Sequence, residues 1–226
     1  VCSRRASESL ILGGHVAVNG KSVTLLGTKI NPNIDYVEVD GQLVHPQRKL
    51  YIALHKPRYV VSSCKDPQGR STVLDLLPPE LQRVYPVGRL DYDSEGLLLL
   101  TSDGEFCNKI THPSSQISKI YYVEVQGAIS EAVIGKMLQG VKHEGDLLKA
   151  VEVEVFKINN TRTSLAITLH EGKTREIRRM LDTLGQIVLT LRRIQVGPVK
   201  LNKLALGKWR ALTQSEINSL LNSKSC

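Results

Sequence analysis

No apolar run in this 226-residue chain approaches the ~20 residues that a membrane-spanning helix needs. No helix is therefore expected to cross a bilayer. The first residues lack a charged segment followed by an apolar stretch and a cleavage site, so no secretory signal is visible. The chain opens on Val rather than Met, as expected of a fragment or processed product, whose upstream targeting segment would lie outside it. Cysteine is scarce: Cys2, Cys64, Cys107 and Cys226 lie far apart, with no CxxC pair and no His at zinc-finger spacing. Free thiols in a reducing compartment are expected, and no metal site. Internal repeats and low-complexity tracts are also missing. What remains, 41% hydrophobic and 23% charged residues, is the composition of a soluble globular protein. Its length suits one large domain, or one of ordinary size with a small module.

Charge is unevenly distributed along the chain. The net +8 is concentrated at the end, where the last 56 residues carry 11 basic and four acidic side chains. Residues 49–170 carry 14 of each sign. A polyanion is the expected partner, with the C-terminal third supplying much of the contact surface.

SRRASESLIL (3–12) predicts a short helix stopped at Gly13-Gly14. Asn19-Gly20 and Asp40-Gly41, each between alternating residues, predict two hairpins. Residues 1–44 thus form a small helix-plus-hairpin module, 45–49 a linker, and 50–226 a second domain. In that domain LYIALHK, YYVEVQG, VEVEVFKI, TSLAITL and VLTLRRIQVGPVKL predict strands. EIRRMLDTLG predicts a helix with Ile177, Met180, Leu181 and Leu184 on one face. Thr213-Gln214-Ser215-Glu216 is a capping-box pattern that starts a last helix. Too few helices separate the strands for βαβ units, so the expected class is α+β with a largely antiparallel sheet.

Within this basic chain, residues 91–105 hold Asp91, Asp93, Glu95, Asp103 and Glu105 and no Lys or Arg. Asp91 to Gly96 imitates the start of an EF-hand loop, but position 12 is Ser102 instead of a bidentate Glu, and Leu97 to Leu100 interrupt the ligands. Paired carboxylates for glycoside hydrolysis are a weaker fit, because acidic residues are common in turns. A plain structural reading makes Asp91 a turn cap and the leucines a buried strand. A fourth reading sets one carboxylate, paired with Arg, in a positive site as nucleophile or base. Asp93 and Glu95 would then keep the loop soluble, and Asp103 and Glu105 would lie in the turn after the leucines.

YPVGRLDYDSEGLLLLTSDGE resembles the catalytic motif of the RsuA/RluB-type ribosomal RNA pseudouridine synthases. KPRYVVSS, THPSSQISKIYYVEVQG, HEGKTREIRRMLDTLG and VGPVKLNKLALGKWRALT extend that resemblance, in order, over residues 50 to about 216. The first residues resemble the S4 RNA-binding module, without its usual first helix. The resemblance implies a pseudouridine synthase fold, an α+β domain with a mainly antiparallel mixed sheet and flanking helices. It further implies cofactor-independent isomerisation of a uridine in ribosomal RNA, with large-subunit RNA favoured. The expected partner is ribosomal RNA or a pre-ribosomal particle, met by a monomer in the bacterial cytoplasm or plastid stroma. A non-catalytic RNA-binding assembly factor is the alternative.

The residues map as follows under that resemblance. Asp91 is the nucleophile or base, with attack at C1′, addition at C6 and elimination to a glycal all open. Tyr121 stacks on the flipped uracil, Tyr122 points to the other face of its strand, and Ile177 walls the base. Arg178 pairs with the Asp91 carboxylate, and Arg89 supplies a second guanidinium. Arg4, Arg5, Asn19, Lys21, Lys119, Lys173, Arg175 and Arg179 are expected on the RNA side. Glu176 stands where the family usually has Gln and is expected to face solvent, since 176 and 178 lie about 200° apart on a helix.

Overall fold

The computed structural model describes residues 4–45 and 47–222; Cys2 and Cys226 lie outside them. Cys64 and Cys107 are free thiols. Contacts divide the chain into two units, Val1–Arg48 and Lys49–Cys226.

The first unit begins with α1 (Arg4–Leu12), which ends at Gly13-Gly14 as the sequence predicts. Strands β1 (Val16–Val18), β2 (Lys21–Ser22), β3 (Val37–Val39) and β4 (Gln42–Leu43) form an antiparallel sheet in the order β2-β1-β3-β4. Both hairpins turn where expected. Asn19 and Gly20 take φ of 51° and 75°, and Asp40 and Gly41 take 49° and 75°. Two left-handed residues in a row are what a two-residue turn needs to match the strand twist. No described residue among 4–45 is fully buried, as expected of so small a module.

The second unit contains β5 (Tyr51–Lys56), β6 (Tyr85–Val87), β7 (Glu95–Thr101), α2 (Gly104–Thr111), β8 (Lys119–Gln126), α3 (Glu131–Gln139), β9 (Val141–His143) and β10 (Asp146–Leu148). It continues with β11 (Glu152–Ile158), β12 (Arg162–Leu169), α4 (Glu176–Thr183), β13 (Val188–Val196), β14 (Val199–Lys200), β15 (Trp209–Ala211) and α5 (Gln214–Asn222). Nine of these strands form one sheet along β11-β12-β8-β13-β7-β5-β15, with β14 on β13 and β6 on β7. Its described ladders are antiparallel except β13 against β7, which gives a mixed, mainly antiparallel sheet.

The leucine run explains how helices come to cover both faces. Successive strand residues point to opposite sides, so Leu98 and Leu100 enter one core with Tyr121, Ile177, Met180 and Leu181, while Leu97 and Leu99 enter another with Phe106, Ile110, Ile217 and Leu220. Thus α4 packs on the first face, and α2 and α5 on the second. Helices α2 and α3 were not anticipated. Asp103 turns out to be the N-cap of α2, its Oδ1 accepting from the Glu105 and Phe106 amides at 3.1 and 3.4 Å. Its other oxygen accepts from the Tyr51 hydroxyl at 2.7 Å and pairs with Lys49 at 2.9 Å. The predicted capping box of α5 is present in both directions, Thr213 N–H to Glu216 at 2.9 Å and Glu216 N–H to Thr213 Oγ1 at 3.2 Å.

The parallel junction of β7 and β13 pairs Gly96 with Arg193. Gly96 has φ of 119°, and a Cβ there would collide with the Arg193 backbone. Backbone cannot yield as a flexible side chain would. Gly96→Ala should therefore destabilise the protein by about 3 kcal/mol or more, measurable as a lowered denaturation midpoint; an unchanged midpoint would contradict the tight packing at this junction.

Candidate active site

Between β6 and β7 the chain runs as a loop over residues 88–94, carrying Asp91. Buried donors fix its backbone from below. Lys56, the last residue of β5, is fully buried and its Nζ donates to the carbonyls of Pro57 (3.0 Å), Asp91 (3.1 Å) and Ser94 (2.8 Å). Burial pushes this lysine down to about 8, an effect that the charges of Asp91 and Asp93 oppose and Arg193 reinforces. Ser62 exchanges hydrogen bonds with Leu90, accepting its N–H at 3.1 Å and donating to its carbonyl at 2.8 Å. Arg193 is also buried; its guanidinium donates to Leu97 O at 2.7 Å and more weakly to Arg89 O at 3.4 Å, and sits 6.0 Å from the Tyr121 ring centroid.

Above this clamp lies a cavity of about 220 Å³, lined among others by Asp91, Arg89, Tyr121, Ile177, Ser94 and Glu176. The Asp91 carboxylate makes no hydrogen bond or ion pair among the described residues, although its backbone is held on two sides. Tyr121 is buried and shares the inward face of β8 with Val123 and Val125. Tyr122 points the other way, its hydroxyl donating to Glu124 at 2.9 Å. The Ser94 hydroxyl, also in the lining, is buried with no hydrogen-bond partner among the described residues.

Arg178 does not take the place expected for it. Its guanidinium pairs with Asp93, not Asp91: Nε lies 3.3 Å from Asp93 Oδ2 and Nη2 donates to Asp93 O at 3.2 Å. Arg175 adds a contact to Asp93 Oδ1 at 2.9 Å. Burial works against the Asp93 charge, but the Arg175 hydrogen bond and the Arg178 and Arg175 charges hold its carboxyl below the usual range. Asp93 is therefore the anchor between the loop and α4 and does not merely solubilise the turn. Glu95, unlike the half-exposed Asp93, is buried, bonded to Arg192 at 2.6 Å with Arg58 at 3.7 Å.

Glu176 is 5% exposed, contrary to the expectation of a solvent-facing side chain. The reason is the phase of α4. Its inward stripe is Ile177, Met180 and Leu181, and residue 176 lies one turn before Met180 on that stripe. Glu176 Oε2 accepts the Lys173 N–H at 3.0 Å, and burial raises its pKa against the pull of Lys173 and Lys119. It makes no ion pair with Arg178.

The residues expected on the RNA side divide similarly. Arg175 and Lys173 line the cavity. Lys119 does not face outward: its Nζ donates to Ile117 O at 3.3 Å and His170 O at 3.1 Å, and burial, reinforced by Arg193, pushes it down to about 8. Arg179 is engaged with Asp146 at 2.7 Å, fastening the β9–β10 hairpin to α4. In the first unit Arg4, Arg5 and Lys21 are exposed, Arg4 beside Glu8 at 3.2 Å. Asn19 is structural: it donates to Asp35 at 2.8 Å and accepts the Tyr36 N–H at 3.1 Å. Lys56 and Arg193 were overlooked in the sequence. Their signal was a charge in core phase, Lys56 two residues after Leu54 and Arg193 two after Leu191. Among the described residues no group of three His, Cys, Asp or Glu side chains could hold a metal ion, and no helix is long and apolar enough to cross a membrane.

An RNA pseudouridylate synthase family model matches residues 50–183. The chain belongs to this family. An S4 domain model matches residues 1–33. The synthase is 45% identical to an RNA pseudouridine synthase of Aquifex aeolicus (strain VF5), over 99% of this chain and 90% of that one. It is 39% identical to ribosomal large subunit pseudouridine synthase B of Bacillus subtilis (strain 168), over 97% and 91%. A solved crystal structure of a pseudouridylate synthase superposes with a TM-score of 0.70 at 28% identity, covering 96% of this chain and 94% of that one.

The fully buried Lys56 and the half-buried Lys119 each carry a testable consequence. Lys56→Met fills the space but leaves three carbonyls without their donor, so stability should fall by about 3 kcal/mol or more, read by denaturant titration. Lys119→Met should leave the salt dependence of RNA binding unchanged, since this ammonium reaches carbonyls instead of phosphate. With a folded pKa of about 8 against an ordinary 10.5, burying its charge costs stability fully below pH 8, and that cost fades as pH rises through this window. Although Ile117 O and His170 O lose their donor in the variant, its stability relative to the wild type should therefore fall as pH rises above 8; a relative stability that rises there would contradict a desolvated ammonium.

Proposed function

We propose that this synthase isomerises a specific uridine of ribosomal RNA, in the large subunit, to pseudouridine, with Asp91 as nucleophile or base. The observation that carries the reading is the cavity in which an unpaired Asp91 carboxylate shares the lining with Tyr121 and Ile177. The target base is flipped out of the RNA, since its glycosidic bond is inaccessible in a stack. Tyr121 stacks on the uracil and Ile177 forms an apolar wall. Arg89 and Arg175, both on the cavity rim, meet the flanking phosphates with their guanidinium forks. Arg178 acts indirectly, as a positioning residue that holds the Asp91 loop through Asp93. Attack at C1′, addition at C6 and formation of a glycal each use the same carboxylate, and the three remain alternatives.

Lys173 lies at the same rim. Arg4, Arg5 and Lys21 of the S4-like unit are available to RNA, whereas Asn19, Lys119 and Arg179 support the reading through structure. No cofactor enters the isomerisation, which is redox-neutral. The enzyme works as a monomer on ribosomal RNA or a pre-ribosomal particle, in the bacterial cytoplasm or a plastid stroma.

Asp91→Asn should abolish isomerisation while RNA affinity stays within a few-fold. Pseudouridine mapping of ribosomal RNA from cells with and without the gene, complemented by each form, reads this directly. Loss of one modified position in the deletion, restored by wild type and not by Asp91→Asn, is the expected result. Restoration by Asp91→Asn would remove Asp91 from the chemistry, and an unaltered map in the deletion would favour a non-catalytic assembly factor.

A further inference from the structure

Tyr92 follows Asp91 directly, and its ring is turned outward. It is 42% exposed, and beside it Tyr59 is 63% exposed. The two rings meet edge to face, centroids 5.5 Å apart at 65°, and the Tyr59 N–H donates to the Tyr92 carbonyl at 2.6 Å. Tyr59 has φ of 63°, a left-handed conformation that a bulky side chain rarely adopts and glycine adopts freely. A strained bulky residue whose ring is mostly in water gains little packing in return. Arg70 stands over Tyr92 with its guanidinium carbon 5.5 Å from the ring centroid. Asp66 holds that guanidinium by two bonds, 3.0 Å at Nε and 2.7 Å at Nη2.

We propose that Tyr59 and Tyr92 form a stacking platform for an unpaired base of the RNA next to the target uridine. The inference rests on the proposed function. Flipping one nucleotide into the Asp91 cavity removes a stacking partner from its neighbour, and that neighbour emerges at the rim. An exposed aromatic ring offers a face to any base, while adjacent guanidinium groups meet the connecting phosphates. Tyr92 supplies continuity with the cavity through the Asp91–Tyr92 peptide. Asp66 balances the Arg70 charge, so the net positive charge that a nucleic-acid strand requires, and that an apolar protein partner would not, comes from the exposed Arg89 on the cavity lining.

Tyr59→Gly separates this role from a structural one, because glycine relieves the left-handed backbone and removes the ring together. The probes are a fluorescein-labelled 12-nucleotide oligouridine and the same strand with abasic ribose at every position. Wild-type protein should bind the oligouridine about tenfold more tightly than the abasic strand, the discrimination expected of one or more stacked bases. In Tyr59→Gly that ratio should fall several-fold, short of one because the Asp91 cavity still takes a uracil, while the thermal midpoint stays at or above the wild-type value; Tyr59→Trp should keep the ratio. An undiminished ratio in Tyr59→Gly, or in Tyr59→Gly combined with Tyr92→Ala, would overturn the platform. Because ribosomal RNA mapping is independent of these probes, failure of the platform leaves the isomerase reading standing, and failure of the mapping does not imitate it.

Discussion

Three carbonyl oxygens converge on the buried Lys56 ammonium, two of them, from Asp91 and Ser94, belonging to the loop that carries the proposed nucleophile. An ammonium has no acceptor to satisfy, only donors to place. In a fully buried position each of those donors needs an oxygen, so the loop is drawn down onto the end of β5 as a condition of burying the lysine at all. Ser62 fixes Leu90 and Arg193 reaches the Leu97 carbonyl by the same logic. A backbone pinned from beneath leaves the Asp91 side chain free of structural duties, which a reacting group requires.

The acidic island is resolved by the same accounting of partners. Asp103 caps α2 and receives Tyr51 and Lys49. Glu95 takes Arg192, and Asp93 takes Arg175 and Arg178. Each of these carboxylates is placed by cations from sequence-distant elements. Asp91 alone of the three carboxylates at 91, 93 and 95 is left with a cavity for company among the described residues. The basic excess of the C-terminal third is thus partly internal: Arg178, Arg192 and Arg193 organise the site, and a smaller share of the charge faces an RNA than the net +8 suggests.

Much of this was legible in the sequence. Period-two alternation located β8, β11 and β12, and Asn-Gly and Asp-Gly located both hairpin turns, because these signals depend on local sterics; the short β6, β9, β10 and β15 carry too few residues to show a period. GRLD and its flanking segments located Asp91, Tyr121 and Ile177, which the fold brings to one cavity. Three-dimensional pairing was not legible. The resemblance pairs Arg178 with Asp91, although the carboxylate within its reach is Asp93, two residues on. The angle between residues 176 and 178 sends Glu176 outward only if Arg178 marks the inner face, whereas the apolar stripe of α4 sets that face and carries Glu176 inward. The resemblance puts Lys119 and Asn19 on the RNA side, yet their polar atoms are taken by carbonyls and by Asp35. Short α2 was hidden behind an Asp-Gly that looked like a turn.

The junction between β7 and β13 also bears on how the enzyme comes into being. Glu95 and Arg192, joined there, are 97 positions apart in the chain. Contacts of such separation form late, since the loop between them must be closed before any of its pairings reward the closure. During synthesis, therefore, the Asp91 loop leaves the ribosome long before the strand that seats it. The proposed site is completed only with the last quarter of the chain, and a nascent synthase still attached to the machine whose RNA it is proposed to modify carries its proposed nucleophile unassembled.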